Sequence, residues 1–159
     1  MKPNRKFGVS AESDNQITDI SDMSENSCVI LQNMIYDVTD LDVYNRSVEA
    51  LHIVYRLEKQ IPNSHFKLRA QITSSAEGIP AHIAEGFAKR RSDKEWKRYL
   101  EIGMGSSDET ITHARLIQVL ACHVPNIDLE LCNQVIDEYK VISKMINSLR
   151  NKWIDYNKK

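Results

Sequence analysis

Apolar residues recur along most of this chain at intervals of three and four, the spacing that places them on one side of an α-helix. The clearest case is Val135, Tyr139, Ile142, Ile146, Leu149 and Trp153, a seam stepping by four, three, four, three and four. It predicts a last helix from Asp128 to about Tyr156. Upstream, Leu41, Tyr44, Val48, Leu51 and Tyr55 suggest a first helix from Asp40, its expected N-cap, to about Gln60. Ile61-Pro62-Asn63-Ser64 then stops it, because Pro62 has no N–H to continue the ladder and disfavours helix in the residue before it.

A second helix is expected over His65 to Phe87, with Leu68, Ile72, Ala76, Ile79 and Ile83 as its core stripe, a kink at Pro80 and Gly86 as its end. A basic turn follows, and Ser92-Asp93-Lys94-Glu95 reads as a capping box opening a third helix that runs to about His123. Its inward face is expected to be Trp96, Tyr99, Leu100, Gly103, Ser107, Thr110, Ala114, Ile117 and Ala121. Gly103 and Gly105, with Ser74, Ser75 and Gly78, suggest close helix approach and subunit contact, since a mid-helix glycine otherwise costs about 1 kcal/mol. Val124-Pro125-Asn126 breaks the chain once more. Four helices with short connections give an all-α, antiparallel up-down four-helix bundle over residues 40–159.

Residues 1–39 form a different region. Met1 to Ser27 is polar, basic at Lys2, Arg5 and Lys6 and acidic from Glu12 to Glu25, which reads as a disordered or extended N-terminal tail. The run Cys28 to Val38 is apolar and is expected to dock on the bundle or on a neighbouring subunit as a short helix or an extended arm.

Composition narrows the function classes. A chain of 159 residues with net charge −1 suits one domain and does not coat nucleic acid by bulk charge. It has no run of 18 apolar residues, and Cys28, Cys122 and Cys132 form no Cys-x-x-Cys pair, so a cytoplasmic protein with structural thiols is expected. Glu49-Ala50-Leu51-His52 is the Glu-x-x-His string of di-iron bundles, but it is single, and Glu109 to His113 has the wrong spacing for a second. A surface glutamate and a helix-face histidine are the plainer reading, and His82 with Glu85 is read the same way. No nucleophile elbow, phosphate loop or zincin string occurs, and Gly103-Met104-Gly105 falls far short of a dinucleotide fingerprint. No enzyme, cofactor or metal is therefore expected. What rises above background is Lys89, Arg90, Arg91, Lys94, Lys97 and Arg98, a cationic strip suited to phosphate unless intrahelical pairs, such as Lys94 or Lys97 with Glu101, consume it. A second basic cluster at Arg150, Lys152, Lys158 and Lys159 can serve the helix dipole alone.

The string Ile79-Pro80-Ala81-His82-Ile83-Ala84-Glu85-Gly86, the turn Arg91-Ser92-Asp93-Lys94-Glu95, the pair Tyr99-Leu100 and Gly105-Ser106 resemble the four-helix-bundle family encoded in intervening sequences of bacterial 23S rRNA genes. That family includes the accessory variability proteins of diversity-generating retroelements. The resemblance runs from Asp40 to about Tyr156 and implies a homo-oligomer, a ring-like pentamer, without catalytic residues. In the retroelement branch it implies a basic surface that engages RNA or DNA and a reverse transcriptase. At Thr73, Ser74, Gly78 and His82 this chain departs from the arginine, arginine, serine and asparagine of many relatives, which leaves the Lys89 to Arg91 turn as its main cationic feature. The function expected is a non-enzymatic oligomeric scaffold for nucleic acid; the alternative is a protein-protein interaction module.

Overall fold

The computed structural model describes residues 35–153, so the tail and most of the apolar run from Cys28 lie outside the described residues. Those that are described form helices and turns, with no strand among them. A 3-10 turn at Val38–Asp40 leads into α1 (Asp42–Glu49) and α2 (Leu51–Glu58). These two meet at Ala50, whose backbone stays helical (φ −62°, ψ −17°), and together they occupy the place of the expected first helix. A second 3-10 turn at Asn63–His65 precedes α3 (Phe66–Ala88), followed by α4 (Asp93–Ala121) and α5 (Leu129–Lys152).

Asp40 does not cap α1. Its carboxylate accepts from the N–H groups of Tyr36 and Asp37 and so closes the preceding 3-10 turn, in a capping box with Asp37. The seam of the first helical rod also differs from the expected one. Val43, Ser47, Ala50, Val54, Leu57 and Ile61 are buried, whereas Val48 and Tyr55 are 43% and 38% exposed. Ser47 and Ala50 carry little hydropathy, so their contribution to a stripe is weak in the sequence. In the fold their small size admits the neighbouring helices. Tyr55 instead sends its hydroxyl to Glu77 of α3 at 2.7 Å.

The helices register through pairs whose numbers run in opposite senses. Between α2 and α3, Glu58 meets Arg69 and Tyr55 meets Glu77. Ser75 meets Thr110 and Glu85 meets Tyr99 between α3 and α4. Between α4 and α5, Gln118 meets Asn133 and Glu101 meets Arg150. The first rod also reaches α5, through Arg46 with Glu138 and Gln60 with the backbone of Asp128. Each pair of neighbours is therefore antiparallel. The start of α1, the end of α3 and the start of α4 lie at one end of the molecule.

The core is a single cluster in which Ile72, Ile79, Ile83, Trp96, Leu100, Ile117, Ile142 and Ile146 are wholly buried, so the seam expected for α5 and the stripe expected for α3 both face inward. Burying one such aliphatic side chain contributes about 1.5–3 kcal/mol. Pro80 is buried inside α3 and does not end it. Neither does Gly86, which lies in the helix two residues before its last turn closes at Ala88. A Cβ on Gly86 would sit 2.7 Å from Tyr99 Cβ and 2.8 Å from Trp96 Cε3, so this glycine allows a close approach of α3 and α4. Gly105 is the reverse: it is exposed and a Cβ there meets nothing within 4 Å. Ser75 and Gly103 are buried within the chain. They pack helices of one molecule against each other, which withdraws them from the small-residue surface expected to join subunits.

Candidate nucleic-acid interface

The basic residues fall where α3 ends and α4 begins, and the local sequence explains the tight reversal. Past Ala88 the N–H groups of Lys89 and Arg90 fall back onto the carbonyls of Gly86 and Phe87, and Ser92 N–H onto that of Lys89. Ser92 Oγ then accepts from Glu95 N–H at 3.4 Å and caps α4. The capping box is only half formed. Ser92 N–H is already bound to Lys89, and Glu95 turns its carboxylate toward Arg98 at 3.7 Å. Beneath the turn, Phe87 and Trp153 each meet Trp96 edge-on, with ring centroids 6.4 Å and 5.1 Å apart, and this aromatic floor fixes the helix ends.

The six cations hold different positions on that frame. Lys89 Nζ is 2.8 Å from Glu85 Oε1 and 2.5 Å from the Tyr99 hydroxyl, which itself donates to Glu85 Oε1 at 2.6 Å. The Lys89 ammonium, followed by the Tyr99 hydroxyl, holds the Glu85 carboxyl below its usual range, and the same contacts raise the Lys89 ammonium. Tyr99, read from the sequence as an inward residue, is thus half-buried with its hydroxyl in a surface cluster. The Glu85 and Lys89 spacing of four was visible in the sequence; the tyrosine that bridges them was not. Arg90 sits over Phe87, its guanidinium carbon 3.8 Å from the ring centroid, and donates to the Phe87 carbonyl at 2.9 Å. It serves the turn as a cap. Lys97 pairs with Asp93 at 2.9 Å. Glu101, expected as a partner of Lys94 or Lys97, is held instead by Arg150 of α5 at 2.8 Å. Arg91 and Lys94 are exposed, and Lys94 makes no ion pair among the described residues.

Among the described residues, the carboxylates seen paired with the six cations of the strip are those of Glu85, Asp93 and Glu95. Lys94, Lys97 and Arg98 lie in the first two turns of α4, where the helix dipole already presents a partial positive charge. Lys94, in the first turn, opposes the dipole and reinforces its attraction for an anion, while Lys97 and Arg98, in the second, are paired with Asp93 and Glu95.

The other candidates stand apart from this surface. Glu49 and His52 approach to 3.9 Å with both side chains largely exposed, along a groove that also holds the Arg46–Glu138 ion pair. His113 reaches Glu109 at 3.3 Å. No three His, Cys, Asp or Glu side chains converge among the described residues. Cys132 is buried, Cys122 is exposed, and Cys28, Lys158 and Lys159 lie outside the described residues. No described helix is long and apolar enough to cross a membrane.

No curated protein matches the chain in sequence. The family model for 23S rRNA-intervening sequence proteins does match, over residues 39–148, a span that takes in α1 to α4 and most of α5 together with the whole basic turn, and the chain belongs to that family.

Proposed function

We propose that this protein is a non-enzymatic scaffold that binds RNA or DNA through the Lys89 to Arg98 surface. The observation that carries the reading is the gathering of Lys89, Arg90, Arg91, Lys94, Lys97 and Arg98 at the junction of α3 and α4, with Lys94 exposed in the first turn of α4, where the helix dipole also favours phosphate. Membership of the 23S rRNA-intervening sequence family supports an association with RNA. The antiparallel pairs between neighbouring helices support an up-down four-helix bundle, which brings the turn to one end as a compact platform. Reading the protein as a cytoplasmic homopentamer and as the accessory partner of a reverse transcriptase follows from the resemblance in sequence. Self-association also draws support from Leu116 and Val119, apolar residues three apart on α4 with 50% and 62% exposure.

The test is a salt series of fluorescence-anisotropy titrations with single-stranded and duplex RNA and DNA, beside light scattering for the subunit number. The reading expects sequence-tolerant binding that weakens steeply with salt, and a mass several times that of one chain. The exposed apolar pair on α4 also favours a second reading, a protein-protein interaction module. Absence of binding to every nucleic acid at low salt would favour that module.

A further inference from the structure

The carboxylates upstream of the first helix have no cation close by in sequence. From Phe7 to Asn45 the chain has eight Asp and Glu residues and not one Lys or Arg, and five of the eight, Glu12, Asp14, Asp19, Asp22 and Glu25, fall within fourteen residues. Ion pairs at three- or four-residue spacing are therefore denied to these five. The described chain begins at Ile35, and the 3-10 turn at Val38–Asp40 packs on α1 and α3. Because Glu58 pairs with Arg69 and Tyr55 with Glu77, that turn faces the Ala88 end of α3, next to the six cations. Glu25 is ten residues upstream of Ile35, a span of at most about 36 Å, and Glu12 has more than twice that reach. The acidic stretch is thus long enough in chain reach to meet the cationic turn.

We propose that residues 12–25 dock on the Lys89 to Arg98 turn of the same chain and occupy it as an internal acidic competitor. Charge complementarity supports this occupant. Among the described residues three carboxylates are paired on a strip of six cations and Lys94 has no ion-pair partner, while five carboxylates lie within chain reach. A tethered partner acts at an effective concentration in the millimolar range, so contacts too weak to hold two separate molecules suffice. The docking rests on charge and chain position alone. Its consequence, a higher threshold for nucleic acid, rests on the function proposed above.

The experiment compares the full chain with its variant carrying Glu12→Gln, Asp14→Asn, Asp19→Asn, Asp22→Asn and Glu25→Gln. Zero-length carbodiimide coupling at low salt should link carboxylates of residues 12–25 to Lys89, Lys94 or Lys97 of the same chain; mixing with isotope-labelled protein separates links within a chain from links between chains. Acylation of Lys94, followed by mass spectrometry, should quicken severalfold in the variant. An unchanged rate together with no such links overturns the docking. Affinity for a single-stranded oligonucleotide should rise about tenfold in the variant. Links and slowed acylation in a protein that binds no nucleic acid would uphold the docking and refute the function; equal affinity of both proteins with no links would refute the docking alone.

Discussion

Gly86→Ala and Gly105→Ala add the same methyl group to a helix interior and should move stability in opposite directions. Both replace the poorest ordinary helix former by the best, which is worth about 1 kcal/mol in favour of the helix. At Gly105 nothing lies within 4 Å of the added carbon, so that gain appears undiminished and Gly105→Ala is stabilised by about 0.5–1 kcal/mol. At Gly86 the carbon would be 2.7 Å from Tyr99 Cβ and 2.8 Å from the Trp96 ring. Tyr99 Cβ is fixed to the α4 backbone, and Trp96 is wedged between Phe87 and Trp153, so neither can swing aside. The helices must separate, and overpacking of this kind costs about 1–3 kcal/mol. With the upper part of that range, Gly86→Ala is net destabilised by about 1–2 kcal/mol, and the two variants differ by about 1.5–3 kcal/mol. For a chain of this size that corresponds to roughly 3–12 °C in Tm. Thermal and urea unfolding followed by far-ultraviolet circular dichroism, at one fixed protein concentration because any self-association would shift Tm, measures the difference. Equal stability of the two variants would refute the close approach of α3 and α4 at Gly86.

The Glu85, Lys89 and Tyr99 cluster predicts a pH signature at both extremes. The depressed Glu85 carboxyl contributes stability that is present above its unfolded pKa and lost as pH falls through the folded value, while the raised Lys89 ammonium contributes stability lost as pH rises through its own. In an NMR titration, Tyr99→Phe should move the Glu85 pKa upward, and an unmoved value would remove the tyrosine from the cluster. Burial pushes the Cys132 thiol up to about 11, so in a Cys28→Ser background a thiol reagent should modify exposed Cys122 in the native protein and Cys132 only after unfolding. Thr110→Val should cost about 1–2 kcal/mol in urea unfolding, because it deletes the buried hydrogen bonding of the Thr110 hydroxyl with Ser75 Oγ across the α3 and α4 contact and with the Ser106 carbonyl, each at 2.9 Å.

Some of this was legible in the residues and some required the fold. The α5 seam and the α3 stripe were, because their apolar side chains are large and step by three and four without interruption. In α1 and α2 the buried stripe passes through Ser47 and Ala50, and larger apolar residues on a neighbouring face drew the seam away from it. Gly86 looked like a helix end because glycine commonly is one. Its actual role depends on Trp96 and Tyr99 across the gap, which spacing within one helix cannot reveal. In the basic turn the charges were plain, but their partners were not. Lys97 takes Asp93, the acid lying four residues N-terminal to it and the better orientation for such a pair, while Glu101 is claimed by Arg150 forty-nine residues away.

The salt dependence of binding to a single strand, compared between the full chain and its Lys94→Gln, Lys97→Gln, Arg98→Gln variant, bears most directly on the proposed function. Each phosphate contact contributes about 0.7 to the slope of log affinity against log salt, so losing three contacts should flatten the slope by about 2. All three side chains lie outside the core cluster, so helicity and oligomeric mass should not change. A flattened slope with the fold intact is the predicted result; an identical slope and affinity in the two proteins would contradict the assignment of phosphate binding to this turn.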